Sequence, residues 1–300
     1  MYHKLSDDLI KQFGCKVYKL ALSGGMTCPV RDGKISNKGC IFCSADGSGT
    51  FCEKSVDDIY TQIENAKSRV GKKIKSGKYI AYFQDFTNTY APVEYLEKIF
   101  TKAINHPDIV ALSVATRPDC LPQDVLNLLE KLNKIKPVWV ELGLQTVHPS
   151  TASYIRRGYP LKVFDKAVKD LKKLNITVVV HIILGLPFET KEMMYETVKY
   201  VGKSGADGVK LQLLHVLKNT DLAKEYEMGK FNCLTMEEYI EILKNCIKIL
   251  PKSVTVHRLT GDGAKKDLIA PLWSADKKRV LNAVNKAFLE EKVEQGSIKI

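Results

Sequence analysis

Hydrophobic positions along the chain gather into six short runs that recur at intervals and are rich in β-branched residues. The runs cover residues 15–23, 79–83, 109–116, 138–145, 176–185 and 209–217. Such near-continuous apolar segments are typical of parallel strands that are buried on both faces of a sheet. The pattern therefore predicts six buried strands.

Stretches with hydrophobic residues at three-to-four spacing separate these runs and predict helices. They cover residues 56–74, 92–105, 122–134, 150–173 and 190–203. Ser55 and Thr190 stand directly before two of them, where an N-cap is expected. Because strands alternate with helices, the sequence predicts an α/β fold, a partial (β/α)6 TIM-like barrel.

The C-terminal part departs from this alternation. Residues 235–250 predict an amphipathic helix capped by Thr235, and a short strand, VTVHRL, and a further helix, ADKKRVLNAVNKAFLEEK, follow. We therefore expect a barrel with an N-terminal extension over residues 1–235 and a small extension, packed on the barrel, over residues 236–300.

The composition restricts the class of protein. A chain of 300 residues with 45% hydrophobic and 27% charged residues can bury a substantial core. Its eight cysteines are too sparse for a secreted disulfide scaffold. The N-terminus lacks the apolar run of a signal peptide, and no stretch approaches the roughly twenty apolar residues of a membrane span. We expect a cytoplasmic protein with reduced thiols and no membrane partner.

The net charge is strongly positive. Lys and Arg number 46 against 34 Asp and Glu, which gives +12. Such a surplus favours a polyanionic partner such as RNA. A lysine-rich proteome would give the same surplus, so the charge leaves both interpretations open.

Three cysteines follow the first predicted strand in the segment CPVRDGKISNKGCIFC, at Cys28, Cys40 and Cys43. The carboxyl ends of barrel strands carry the active sites of such folds. A redox C-x-x-C pair would leave Cys28 without a role. A zinc site would need a fourth ligand, from Cys52 or His3. An iron–sulfur cluster on three thiolates would leave one iron open.

The last arrangement resembles the radical S-adenosylmethionine (SAM) enzymes, in which an aromatic residue, here Phe42, precedes the last cysteine. The eleven-residue gap between Cys28 and Cys40 is longer than the usual C-x-x-x-C-x-x-C spacing. It is similar to the branch of the elongator catalytic subunit, which acts on tRNA wobble uridines. The segment TCPVRDGKISNKGCIFC resembles the short, stand-alone bacterial relatives of that subunit.

Further segments extend the resemblance along almost the whole chain. They are YFQDFTNTYAP (82–92), SVATRPDCLP (113–122), VELGLQTVHPSTASYIRRG (140–158), HIILGLPFET (181–190) and HRLTGDG (257–263). The resemblance implies one [4Fe–4S] cluster on the three cysteines and SAM as the ligand of the open iron.

The resemblance also implies where SAM is contacted. Gln84 stands where superfamily members carry a Gly-Gly-Glu loop that meets the methionine amino group. Gln145 and, twelve residues later, Arg157 match a pair that contacts SAM. His181 stands where some relatives carry an aspartate for the ribose, and Gly185 begins a turn that presents backbone to the adenine.

The implied activity is reductive cleavage of SAM to a 5′-deoxyadenosyl radical, with electrons from a donor such as flavodoxin or ferredoxin. The implied substrate is tRNA, modified on the side chain of its wobble uridine. Two alternatives remain: a radical SAM enzyme that acts on a small metabolite or tetrapyrrole, and a zinc-stabilised RNA-binding protein without catalysis.

Polar residues in or just after the predicted strands also indicate a site inside the barrel. Four polar residues stand at alternating positions that are expected to face the barrel lumen: Asp85, Glu141, Lys210 and Gln212. His215 lies near the end of the sixth strand. A polar side chain inside a barrel needs a partner, which is a ligand or another side chain.

Overall fold

The computed structural model of the chain describes residues 1–44, 47, 52–53, 58–71, 77–261, 263 and 265–298. The predicted cap at Ser55 and both ends of the predicted helix 56–74 lie outside these residues. Within the described residues, none of the helices is both long enough and apolar enough to cross a bilayer.

The strands follow the predicted order: β8 is the predicted short strand VTVHRL, β7 is the end of the predicted strand 209–217, and β9 was not predicted. They are β1 Tyr18–Leu22, β2 Tyr79–Phe83, β3 Ile109–Thr116, β4 Val138–Gln145, β5 Thr177–Leu184, β6 Gly208–Leu213, β7 Val216–Leu217, β8 Thr255–Arg258 and β9 Leu268–Ala270. Seven of them form one parallel sheet in the order β1-β2-β3-β4-β5-β6-β8. The predicted partial barrel is thereby confirmed.

Helices connect the strands. They are α1 Leu5–Phe13, α2 Ile59–Val70, α3 Val93–Ile104, α4 Gln123–Asn133, α5 Pro149–Tyr154, α6 Leu161–Lys173, α7 Lys191–Lys203, α8 Asp221–Glu227, α9 Met236–Ile249 and α10 Lys277–Glu290. Thr190 caps α7, and Thr235 forms a reciprocal capping box with Glu238 at the start of α9. Both predicted caps are therefore confirmed.

Two predicted elements are divided in the structure. The predicted helix 150–173 is α5 and α6, because Gly158 adopts a left-handed backbone with φ of +81° and Pro160 follows it. The predicted strand 209–217 leaves the barrel after Leu213, and its last residues form β7, which pairs antiparallel with β9.

The C-terminal segment contributes directly to the barrel. Its strand β8 pairs with β6, with Thr255 opposite Gly208 and Val256 opposite Val209. The sheet therefore has seven strands where the sequence predicts six. The division of the chain into units before and after residue 235 stays a prediction.

One end of the barrel is closed by apolar packing. Leu9 of α1 packs against Val17, Ile80, Ala111 and Trp139, which come from the starts of β1 to β4 or the residue before them. This cluster forms a floor at the amino ends of the strands. The carboxyl ends, where the cysteine segment lies, are the open end at which barrels build their sites.

Candidate active site

A charged layer lies above the apolar floor, with a buried carboxylate at its centre. Glu141 of β4 has no exposed surface. Ser113 Oγ donates to Glu141 Oε1 at 2.7 Å, and His181 Nε2 lies 2.6 Å from Glu141 Oε2. The ammonium groups of Lys19 and Lys210 both pair with the same carboxylate. Strands β1, β3, β4, β5 and β6 are thus joined by one side chain.

An aromatic ring completes this layer. Tyr82 is buried, and its hydroxyl lies 3.0 Å from Lys210 Nζ. The Tyr82 ring also faces both lysines, with Lys19 Nζ 4.7 Å and Lys210 Nζ 4.6 Å from its centroid. Cation–π attraction therefore adds to the ion pairs in holding the two ammonium groups.

Burial and pairing shift the pKa values of these groups in definite directions. Burial alone would raise the pKa of Glu141, but Lys19 and Lys210 outweigh it and hold that pKa well below its usual range. Burial lowers the pKa of Lys210, although Glu141 opposes the shift. Burial, with Lys210 nearby, lowers the pKa of His181 to about 4. His181 is therefore a neutral ring that donates Nε2–H to an ionised carboxylate.

The charged layer forms the base of a cavity of about 220 Å³ that opens at the carboxyl ends of the strands. The cavity brings together seven of the eight predicted site residues. They are Cys28, Cys40, Cys43, Gln84, Gln145, Arg157 and His181. The eighth, Gly185, lies at the end of β5, where a Cβ would meet Leu234, and does not line the cavity. Its role at the adenine stays a prediction.

The cysteine segment is a compact loop fixed by its own backbone. Gly39 N–H donates to the carbonyl of Val30 at 2.7 Å, and Cys43 N–H donates to that of Cys40 at 3.1 Å. Arg31 Nη2 donates to the carbonyl of Cys43 at 3.1 Å. These bonds hold the long insert between Cys28 and Cys40 in a defined shape, and all three cysteines line the same cavity despite the eleven-residue gap.

The three cysteines are half-buried. Burial and the neighbouring Cys43 raise the pKa of Cys40 to about 12, and burial raises the pKa of Cys43 despite the opposing charge of Arg31. Because metals bind thiolates, metal binding here would release protons. The positive charge of Arg117, which also lines the cavity, opposes the rise in the pKa of Cys40 and of Cys43.

The three thiols do not form a ready-made site for a single metal ion. Among the described residues, the group of three ligand atoms that lie within 4.8 Å of one another is formed by Glu64, His106 and Asp108. The three cysteine sulfurs do not meet that criterion together. A tetrahedral zinc with bonds of about 2.3 Å would bring its sulfurs to roughly 3.8 Å. Three thiolates on one loop are instead the type of donor set that an iron–sulfur cluster takes.

Neither candidate for a fourth zinc ligand joins the three cysteines. His3 lies at the other end of the barrel, with Nε2 2.6 Å from Asp8 and Nδ1 3.2 Å from the carbonyl of Lys252. Cys52 is not among the described residues that line the cavity. Its pKa is raised to about 12 by burial and by Asp85. The zinc alternative therefore has no support from the described residues.

Gln145 and Arg157 lie together where β4 ends. Gln145 has φ of +65° beside a register shift in the β4–β5 pairing, an uncommon conformation for a non-glycine residue. Arg157 is buried, and its Nη1 donates to the carbonyls of Leu144 at 3.1 Å and Thr146 at 2.5 Å. Arg157 therefore fixes the strand end that carries Gln145. Burial lowers the pKa of Arg157.

Sequence reasoning missed three contributors to the site. Lys19 and Ser113 complete the shell of Glu141, and Arg117, held by Asp119 through bonds of 2.9 and 2.7 Å, lines the cavity. A signal for Lys19 is present: it is the one charged residue in YKLAL, the part of the apolar run that forms β1. A charged residue in such a position requires a buried partner.

Comparisons with known proteins identify the family to which the chain belongs. Residues 32–201 match the Radical SAM superfamily and residues 206–290 match the Radical_SAM C-terminal domain. The first match includes Cys40 and Cys43 and begins after Cys28. The chain is 48% identical over 285 residues to the protein YtqA of Bacillus subtilis, covering 95% of this chain and 88% of that protein.

Two further similarities concern proteins with more specific names. A tRNA uridine(34) acetyltransferase of Methanocaldococcus jannaschii is 30% identical over 156 residues, 51% of this chain and 28% of that protein. The structure of Methanocaldococcus infernus Elp3 aligns with a TM-score of 0.72 and 20% identity, over 93% of this chain. This chain covers 64% of that Elp3 chain, and the likeness shows the fold.

The family assignment follows from these matches. The superfamily match extends over more than half of the chain, and the similarity to YtqA extends over most of both proteins. Members of this superfamily use a [4Fe–4S] cluster and SAM. The chain belongs to the radical SAM superfamily and is a radical SAM enzyme.

Proposed function

We propose that Cys28, Cys40 and Cys43 hold the [4Fe–4S] cluster and that SAM occupies the cavity beside them. The observation that carries this proposal is the shared cavity: three thiols from one loop and the ends of β2, β4 and β5 face the same space. When bound, the cluster supplies one electron that cleaves SAM to a 5′-deoxyadenosyl radical. Three thiolates leave one iron for the methionyl end of SAM.

The residues around the cavity have distinct tasks in this proposal. Gln84 and Gln145 offer side-chain amides from the ends of β2 and β4. Arg157 fixes the end of β4 through its bonds to backbone carbonyls. His181 is held neutral with its Nε2–H on Glu141, so its Nδ1 can accept a hydrogen bond from a ribose hydroxyl without adding a charge.

We infer that the substrate is tRNA and that the reaction remodels a side chain on its wobble uridine. Three observations support this: a relative named for uridine 34 of tRNA, the Elp3-like fold and the net charge of +12. A wobble base is unpaired in free tRNA and can be turned out into a pocket. Lys19, Lys210 and Arg258 give the base of the cavity a surplus of positive charge over Glu141.

Nucleoside analysis of tRNA tests the substrate. We expect cells that lack this chain to accumulate a precursor of one wobble-uridine modification, and wild-type protein to restore the product. A Cys43→Ala variant should express normally and fail to restore it. Unchanged wobble nucleosides in the deletion strain would exclude tRNA and favour a small metabolite as the substrate.

Anaerobic reconstitution tests the cofactors separately. We expect a brown, oxygen-sensitive protein that forms 5′-deoxyadenosine from SAM when a reductant is present. A colourless protein with one zinc per chain would contradict the cluster assignment. Binding of tRNA should weaken steeply with salt, because contacts to phosphates release counterions.

A further inference from the structure

We propose that the outer side of the cysteine loop is the docking surface for an acidic one-electron carrier protein. This inference rests on the proposed cluster and names the partner that reduces it. The surface is a cleft of about 400 Å³ between the cysteine loop and the α5–α6 turn. Its lining includes Val30, Ile35, Ser36, Ala152, Arg156 and Leu161. We refer to it as the loop cleft.

The loop cleft lies directly behind the cysteines. Cys40 Sγ is 3.8 Å from the carbonyl oxygen of Arg156, a residue that lines the cleft. Ile41 N–H donates to the carbonyl of Ile155 at 3.3 Å and so ties the cysteine loop to the end of α5. At this point a single residue, Arg156, therefore separates the cleft from the Cys40 sulfur. Electron transfer falls steeply with distance, so this short separation marks the face from which a carrier can deliver an electron.

The substrate face is a different one. SAM and the substrate approach the cavity inside the barrel, which the charged layer closes below. Val30, Arg157 and Tyr159 line both the cavity and the loop cleft, so these residues form the partition between them. A carrier in the loop cleft would leave the cavity free for SAM and substrate. Reduction and substrate binding can then occur on the same molecule.

The chemistry of the loop cleft fits a weak, acidic partner. Ile35 is a large apolar side chain with 47% of its surface exposed. Lys34 and Lys38 are exposed on the same loop, and the guanidinium of Arg156, which lines the cleft, pairs with Asp221 at 2.6 Å. Among the described residues that line the cleft, none is acidic. An apolar contact with a basic rim is suited to a transient complex, because charge steers the encounter while a small area keeps it short-lived.

The redox step itself is simple. The reduced carrier loses one electron and the cluster gains it. No covalent bond forms or breaks at this step, and no proton transfer accompanies it. The carrier then dissociates in its oxidised form, which frees the cleft for the next reduced molecule.

The experiment compares two reductants on the reconstituted, full-length enzyme. Reduced flavodoxin serves as the protein donor and dithionite as the small donor, with 5′-deoxyadenosine as the readout. We expect the double variant Ile35→Glu, Lys38→Glu to lose about tenfold or more of the flavodoxin-driven rate. Its dithionite-driven rate should match wild type, since the cavity is untouched. The flavodoxin-driven rate of wild type should also fall with ionic strength.

A matched variant and a binding measurement complete the test. The double variant Ile10→Glu, Lys11→Glu makes the same charge change on α1, where Ile10 is 44% exposed at the other end of the barrel. It should keep both rates. Fluorescence anisotropy of labelled flavodoxin should show weaker binding for the loop-cleft variant alone. Such binding is measured without turnover.

The outcomes separate this inference from the proposed function. Unchanged flavodoxin-driven activity and binding in the Ile35, Lys38 variant would overturn the docking surface. An equal loss with both reductants would overturn it as well, because the loop would then act on the cluster itself. Failure of the wild-type enzyme to cleave SAM with dithionite would instead contradict the proposed cluster, on which the docking surface depends.

Discussion

His181 Nε2 lies 2.6 Å from Glu141 Oε2 in the middle of the barrel, and this pair joins the charged layer to the cavity. Glu141 is fully buried and His181 lines the cavity. The ammonium groups of Lys19 and Lys210 both form ion pairs with the Glu141 carboxylate. The layer therefore holds two ammonium groups, a carboxylate and a neutral imidazole in one fixed arrangement directly beneath the proposed SAM site.

Glu141→Gln should destabilise the protein strongly. Among the described residues, Glu141 is the carboxylate that pairs with both Lys19 and Lys210, so the substitution leaves these two cations inside the barrel without that compensation. We expect the free energy of unfolding in urea to fall by about 3 kcal/mol or more. Glu196→Gln, at a side chain that is 66% exposed, should change it by less than about 1 kcal/mol. Similar effects of both substitutions would contradict the central role of Glu141.

The stability of the protein should depend on pH through His181. The pKa of His181 is lowered from 6.5 to about 4 by burial, so the unfolded chain takes up a proton before the folded one does. Stability from this group is complete above pH 6.5 and is lost as the pH falls towards 4. His181→Gln should flatten that part of the curve of unfolding free energy against pH.

Ring resonances of His181 provide a direct check on this assignment. In an NMR titration, the imidazole should stay neutral until the pH approaches 4. A ring that titrates near 6.5, its usual value, would show that burial does not control its charge. His3, which is bonded at the far end of the barrel, is a convenient second probe in the same spectrum.

Cys43→Ala should abolish iron loading and leave the fold intact. Cys43 lines the cavity and contributes one of three proposed ligands, so its loss leaves too few thiolates for a stable cluster. Iron and sulfide content after anaerobic reconstitution measures the effect, and far-UV circular dichroism monitors the fold. Cys15→Ala, at the opposite end of β1, should load iron normally. A full cluster in the Cys43 variant would require a different set of ligands.

Gly158→Ala should cost more stability than Gly205→Ala, although both glycines have a left-handed backbone, with φ of +81° and +87°. A Cβ at Gly158 would lie 3.0 Å from Val30 Cγ1 and 3.3 Å from Ile35 Cγ2, whereas one at Gly205 would meet nothing within 4 Å. We expect about 1 kcal/mol of backbone strain in both variants. Crowding of the cysteine loop should cost Gly158→Ala at least about 1 kcal/mol more.

The consequence for cofactor loading distinguishes the two glycine variants further. Because Val30 lines the cavity together with the three cysteines, Gly158→Ala should also slow iron loading. Gly205→Ala should load iron at the wild-type rate. Equal unfolding free energies in the two variants would show that the loop yields to the added methyl group without cost.

Much of the barrel was predictable because its signals are local. Near-continuous apolar runs gave the six strands, and three-to-four spacing gave the helices between them. Thr190 and Thr235 marked two helix starts by side-chain chemistry alone. The break between α5 and α6 also has a local cause, Gly158 and Pro160. It was missed because the three-to-four spacing of hydrophobic residues predicted one continuous helix. The position of β8 beside β6 could not be predicted from local sequence, because a four-residue strand does not indicate which strand it pairs with.

By itself the sequence determined the alternation of strands and helices, and it placed three cysteines after the first strand. It also required that Lys19 and Glu141 find partners, because neither charge is stable alone in an apolar interior. Only the tertiary structure decided that they are partners of each other, although 122 residues separate them in the chain. Curvature of the sheet brings β1, β4 and β6 to one lumen, and the energy of a buried ion pair depends on that distance in space. Spacing along the chain does not encode it.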